Sequence, residues 1–212
     1  MIDIYCERTT ADFWSEPLNA FTNLLFLVAA WFVWRLARKE KQLTASTFSL
    51  IGLMATIGIG SFLFHTFATP WAEASDVLPI KLFQLCFMWF YARKILAFNS
   101  LQIVGLFLAF FGMSYIGGQF PELLNGSLMY ASAIVVAIFF GVLHFKLNKR
   151  EPYLLLAASL VFIVGITLRS IDMTLCQQIP LGTHFLWHCC MSVLLYLLLR
   201  AYVLNLRSNR LP

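Results

Sequence analysis

The sequence predicts an all-α membrane protein of seven transmembrane helices, with the N-terminus outside and the C-terminus cytoplasmic. Three observations predict it. The 212-residue chain is 60% hydrophobic and only 12% charged, against about 25% charged for a soluble domain. Its mean hydropathy is +0.79. Its apolar residues fall into seven stretches of the length, about 20 residues, that crosses a hydrocarbon layer roughly 30 Å thick.

The spans follow one another with a physical reason for each break. The first covers Pro17–Leu36 and is closed by Arg35, Arg38, Lys39 and Lys41. The second covers Ser46–Phe67. Thr69-Pro70 then reads as an N-cap and a first helical position. The third helix follows, with Val77–Leu96 as its core and Arg93 and Lys94 near its end. Pro79 removes the hydrogen bond that the Ser75 carbonyl would receive. The fourth span, Leu101–Ile116, ends at Gly117-Gly118 and Pro121. The fifth, Ser127–Phe145, ends at Lys146, Lys149 and Arg150. Pro152 precedes the sixth, Tyr153–Leu168, and Pro180 precedes the seventh, Thr183–Val203. No repeat, low-complexity segment or soluble domain interrupts them, so residues 1–212 read as one domain. No charged, cleavable leader precedes the first apolar run, and the N-terminal stretch reads as mature sequence.

Charge sets the expected orientation. Twelve basic residues lie in the loops after the odd spans and in the tail, which adds Arg200, Arg207 and Arg210; Glu40 and Glu151 oppose them there. The other side holds only Arg8, Lys81 and Arg169 among the basic residues, with eight acidic ones. The positive-inside rule places the basic side in the cytoplasm. The net charge of +5 is therefore a membrane anchor and gives no reason to expect nucleic acid. Short loops suggest a bacterial inner membrane, with the site described next toward the external or periplasmic side. Cys86, Cys189 and Cys190 fall inside helices as small apolar residues. Cys6 and Cys176 fall outside, where disulfides persist, and are expected to pair; two free thiols are the alternative.

Chemistry concentrates at the outer ends of three helices. Ser61 and His65 are four residues apart and share a helix face. His184 and His188 have the same offset, a metal-ligand spacing on one helix. Asp76 lies at that depth on the third helix. Three imidazoles with an open position form a catalytic zinc ligand set. Asp76 would then move a proton between the attacking water and the leaving group. Ser61 would hydrogen-bond that water or the oxyanion. Ionisable groups in membrane segments usually mark function. The bland readings are an interfacial or hydrogen-bonded histidine, which is the expected role of His144, a helix cap or a Lys81 partner for Asp76, and a small packing contact for Ser61.

These residues resemble a family. "GSFLFH", an Asp eleven residues after that His, and "HFLWH" near the C-terminus are similar to the alkaline ceramidases of the CREST superfamily. "YCER", "FWSEPLNAFTN" and Asp172 before Cys176 are similar too. These are seven-helix membrane hydrolases related to adiponectin receptors. The resemblance implies zinc on His65, His184 and His188, Asp76 and Ser61 beside the metal, a Cys6–Cys176 disulfide, and hydrolysis of the ceramide amide to a sphingoid base and a fatty acid. Asp3, Glu7 and Asp12 stand near the acidic cluster with which animal members bind calcium. Arg8 replaces an acidic residue there and Thr9 an amide, so solvated acidic residues are expected in preference to a calcium site. Lys81 stands where the family commonly has an apolar residue, and could act on Asp76, bind a lipid headgroup or snorkel. Arg169 and Asp172 are expected to form an interfacial ion pair. The alternatives to a ceramide amidase are a lipid ester hydrolase or remodelling enzyme of the same superfamily, and a receptor-like protein with structural zinc. A transporter is disfavoured, because no helix pair carries matched Gly/Pro interruptions.

Overall fold

A computed structural model describes residues 1–206, and the basic tail residues Arg207 and Arg210 lie outside them. Among the described residues there are eight α-helices and no strand: α1 Pro17–Thr22, α2 Leu24–Lys39, α3 Ala45–Phe67, α4 Pro70–Lys94, α5 Ser100–Gly118, α6 Ala131–Lys146, α7 Leu154–Ile171 and α8 His184–Asn205. Short 3-10 turns at Ser127–Tyr130 and Met173–Leu175 precede α6 and follow α7. Six rods are long and apolar enough to cross a membrane. They are Pro17–Lys39, which joins α1 to α2, then α3, α5, Ser127–Lys146, α7 and α8. The remaining helix, α4, has 25 residues and is long enough. It falls outside that set because Glu73, Asp76, Lys81 and Gln84 make its first half polar.

Local signals explain the helix ends. Thr44 opens α3 with a side-chain cap to the Thr47 N–H. Asn99 and Gln102 form a capping box at α5, satisfying two N–H groups that a helix start leaves unpaired. Pro70 occupies the first turn of α4, where a missing N–H costs little. Each rod packs on the next in the chain, and α8 returns to α2 and α3, closing a ring.

The tightest approach lies between α3 and α4. Pro79 sits inside α4 and leaves the Ser75 carbonyl without its helical partner. That carbonyl presses against Gly60, where a Cβ would stand 2.0 Å from the oxygen. Gly58 gives the same freedom toward α2: a Cβ there would stand 2.8 Å from the Phe26 Cβ. The small residues before Ser61 are therefore the contact surface, and Ser61 itself is left facing a cavity.

The N-terminal segment folds back over the end of the bundle that holds the α3–α4 turn and the start of α8. Its anchors are an Ile2 N–H bond to the Ala68 carbonyl at 2.8 Å and a Cys6–Cys176 disulfide. Asp172 completes the tie. Its carboxylate accepts the N–H of Cys6 at 3.0 Å, of Thr183 at 2.6 Å and of His184 at 2.9 Å. One buried carboxylate thus caps α8, as a negative charge at a helix N-terminus should, and holds the N-terminal segment. At the opposite end His144 is fully buried, bonded to the Tyr91 hydroxyl at 2.5 Å and the Glu151 carbonyl at 3.1 Å. It is a satisfied structural histidine.

Two expectations need correction. Arg169 and Asp172 do not pair, because Asp172 is committed to backbone N–H groups while Arg169 turns to the α5–α6 connection. Of the acidic residues expected to be solvated, Asp3 and Asp12 are exposed, but Glu7 is not. It is buried, and its carboxylate accepts the N–H of Leu18 at 2.7 Å and of Asn19 at 2.8 Å, capping α1. Burial pushes the Glu7 carboxyl up, against those two bonds.

Candidate metal centre and catalytic cavity

Among the described residues, His65, His184 and His188, all buried, form a group that could hold a metal ion. His65 comes from the last turn of α3, and His184 and His188 from the first two turns of α8. The ring centroids stand 5.2 Å, 4.8 Å and 4.6 Å apart pairwise. One nitrogen from each ring lies within 4.8 Å of the others.

Hydrogen bonds on the far sides of the rings set which nitrogens are free. Glu16 Oε2 stands 2.6 Å from His65 Nδ1, so that nitrogen carries the proton. His65 Nε2 is buried with no protein partner. The Thr22 hydroxyl donates to the Leu18 carbonyl at 2.8 Å. It has one proton, and so accepts from His188 Nδ1, 3.0 Å away, leaving His188 Nε2 as a lone pair. His184 Nδ1 is also buried without a partner. Orphaned buried polar atoms are expensive. Three imidazoles oriented from behind by a carboxylate, a hydroxyl and packing are the donor set that a divalent transition metal takes. The residues present therefore fit a metal ion.

The support comes from α1, whose first residues carry the polar face of an otherwise apolar span. Glu16 also accepts the Asn19 amide at 2.9 Å and pairs with the Arg8 guanidinium. Arg8 in turn donates to the His65 carbonyl at 2.8 Å. Burial pushes the Glu16 carboxyl up, but the hydrogen bond from His65, then those from Asn19 and Arg8, hold it below its ordinary value. On the other side Tyr5 stacks on His184 with centroids 3.5 Å apart and planes 17° from parallel. Burial pushes the Tyr5 phenol up, so it stays protonated.

Beside the three rings opens a cavity of about 120 Å³. Ser61, Asp76, His184 and His188 line it together with Tyr5, Gln84, Tyr130 and Arg169; the rest of its wall is apolar, including Phe83, Phe87, Phe110, Phe140 and Leu198. Ser61 is buried, and Asp76 Oδ1 has no hydrogen-bond partner. The fold thus places a carboxylate, a hydroxyl and three imidazoles that could hold a metal ion beside an apolar chamber. Lys81 lies apart. It lines a neighbouring cavity with Gln84, Ser114 and Tyr115, and makes no ion pair with Asp76.

All of the histidines, Ser61 and Asp76 read from spacing converge here. Glu16, Arg8, Thr22, Tyr5 and Arg169 were not read as site residues. The signal available for α1 was its polar offset: Glu16, Asn19 and Asn23 recur at helical spacing at the start of an apolar run, where such residues are expensive.

A family model described as Ceramidase matches residues 4–210. No curated protein and no solved structure matches the chain.

Proposed function

The chain belongs to the ceramidase family, matched over nearly its whole length, and on that premise we propose that it is a zinc-dependent intramembrane hydrolase that cleaves the amide bond of ceramide-like lipids to a sphingoid base and a fatty acid. The observation that carries the reading is the gathering of buried, partnerless nitrogens of His65 and His184 beside an apolar cavity that Asp76 and Ser61 line. A zinc ion held by His65, His184 and His188 would supply Lewis acidity toward the carbonyl and lower the pKa of the attacking water.

The chain's own groups do the rest. Asp76 accepts the proton of the attacking water and returns it to the amide nitrogen as the C–N bond breaks. Ser61 donates its hydroxyl to the oxyanion that forms on the carbonyl. The phenylalanine-rich wall holds the acyl chains and excludes bulk water, which strengthens both interactions. Glu16 and Thr22 hold their histidines in the right tautomer.

The histidine end of the bundle faces the outside. Two independent facts support this: a disulfide ties that end together, and disulfides persist outside the reducing cytosol; the basic residues gather at the opposite end. A thiol reagent confined to the outside should reach Cys6 after reduction.

The decisive experiment incubates purified, zinc-loaded protein with a ceramide panel and a phospholipid panel and identifies products by mass. Sphingoid base with free fatty acid from ceramides supports the reading. Fatty acid from phospholipids alone would make it an ester hydrolase, and no cleavage of either would leave the metal a structural brace.

A further inference from the structure

Arg169 stands on the last turn of α7 and lines the catalytic cavity with Tyr5, Asp76, Tyr130 and His184. Its Nη1 donates to the Asn125 carbonyl at 2.8 Å and to the Ser127 hydroxyl at 2.7 Å. The guanidinium lies 5.5 Å from the Tyr130 ring centroid and 6.0 Å from that of Tyr5. These contacts fix the fork in place, and the Asp76 carboxylate faces the same cavity without closing an ion pair with it. Among the described residues Arg169 forms no ion pair. The nearest carboxylate in sequence, Asp172, is used up by three backbone N–H groups.

A guanidinium has five N–H donors in a planar fork; Nη1 serves Asn125 and Ser127, the Tyr5 hydroxyl lies beside the fork, and donors are left over for a ligand in the cavity. A cation at the end of a membrane span is costly unless something answers its charge. Here it faces the chamber in which a substrate would sit. The fork matches phosphate, sulfonate and carboxylate groups better than neutral hydroxyls.

We propose that Arg169 binds an anionic oxygen group on the head of the substrate, so that the lipids this protein cleaves are acidic ceramide-like amides. This rests on the reading of the cavity as an amidase site. The position selects the head over the chains. Arg169 lies at the same end of the bundle as the three imidazoles, tethered to the α5–α6 connection, while apolar side chains and Gln84 line the remainder of the chamber.

The test compares N-acylsphingosine with N-acylsphingosine 1-phosphate, on the unmutated protein and on Arg169→Gln. Both hydrolysis and equilibrium binding of radiolabelled lipid in detergent micelles are measured. The unmutated protein should favour the phosphate ester by about ten- to a hundredfold in kcat/KM and in affinity, the scale of hydrogen bonds to a charged partner. Arg169→Gln should lose that preference through KM, its KM for the phosphate ester rising more than its KM for the neutral lipid. Arg169→Lys should keep part of it, because it keeps the charge but not the fork. Equal loss on both lipids would assign Arg169 a bracing role and overturn the proposal, as would no preference in the unmutated protein. If neither lipid is cleaved, the amidase reading fails by itself; selective binding of the phosphate ester, abolished in Arg169→Gln, still upholds the anion site, and its absence sinks that too. Should Arg169→Gln not fold, Arg169→Lys decides by the same two measurements.

Discussion

Glu16 Oε2 stands 2.6 Å from His65 Nδ1, with both side chains buried. The pair joins Glu16, at the start of α1, to the three histidines that could hold a metal ion, and under the proposed function it makes Glu16 a positioning residue. A carboxylate behind a ligating histidine fixes its tautomer and raises its basicity, and losing one typically costs 10- to 100-fold in metal affinity. Glu16→Gln should lower zinc affinity by about that factor in a competitive chelator titration. It should also lower Tm, because the buried Arg8 loses its counter-ion, a change worth about 3–5 kcal/mol. Unchanged affinity would take Glu16 out of the site.

The same carboxylate gives a pH dependence of known sign. Glu16 is held below its ordinary value of 4.5. Its stabilisation is therefore complete above pH 4.5 and is lost as pH falls through the lower folded value. Glu7 is raised and has the opposite sign, so its ionisation counts against the fold as pH rises through its folded value. In metal-free protein the acid-side fall in Tm should shrink in Glu16→Gln, and Glu7→Gln should not shrink it. Identical acid limbs in all three proteins would contradict the assignment.

Asp76 and Ser61 line the cavity but stand outside the histidine group that could hold a metal ion, so under the proposed function their loss should separate chemistry from metal binding. Asp76→Asn and Ser61→Ala should keep full zinc content by elemental analysis. Turnover should fall by at least about 10²-fold, the scale for a positioned proton-transfer group or an oxyanion donor. His184→Ala should lose both zinc and turnover. Full activity in Asp76→Asn would remove it from the mechanism.

What could be read in the sequence was local. Helix ends followed from proline, glycine and charge, so Leu101–Ile116 as expected differs from the observed Ser100–Gly118 by two residues at most. His184 and His188 share a face by helical periodicity alone, and His65 with Ser61 likewise. The misses are contacts that depend on how residues 1–16 fold back over the bundle. Nothing in the neighbourhood of Glu16 or Arg8 says that they will be buried against His65, 49 residues from Glu16 in the chain. Arg169 and Asp172 look like a pair at a spacing of three, and only the docking of Cys6 and the start of α8 diverts the carboxylate. The break at Asn23 between α1 and α2 was equally hidden, because apolar content runs through it.

The Cys6–Cys176 bridge spans 170 residues of chain and holds down the segment that carries Tyr5, Glu7 and Arg8. A crosslink over so long a loop removes much of the unfolded chain's freedom, and losing such a bond typically costs about 2–5 kcal/mol. Cys6→Ser should lower Tm and weaken zinc binding together, since Arg8 and Tyr5 reach the histidines through that segment. Reductant should reproduce both effects in the unmutated protein and neither in Cys6→Ser. A Tm insensitive to reductant would show that the segment is held without the bridge.

The α3–α4 contact yields a prediction with an internal control. At Gly60 a Cβ would stand 2.0 Å from the Ser75 carbonyl oxygen and 2.7 Å from its carbon. Both are backbone atoms, so no side chain can swing aside, and Gly60→Ala must push the two helices apart. Overpacking of this kind costs about 1–3 kcal/mol. Ser61 follows Gly60 and Asp76 follows Ser75, so the same displacement separates the two groups proposed to act on the amide. Turnover should therefore fall further than the Tm shift alone would predict. Gly52 lies on the same helix with nothing within 4 Å of its Cβ position. Gly52→Ala should be neutral or gain about 0.5–1 kcal/mol from the lower entropy of the unfolded chain. Thermal unfolding and turnover measured on both variants decide it: a Gly60→Ala protein as stable and as active as Gly52→Ala would mean that the helices do not meet at Ser75, and that Asp76 is placed by some other contact.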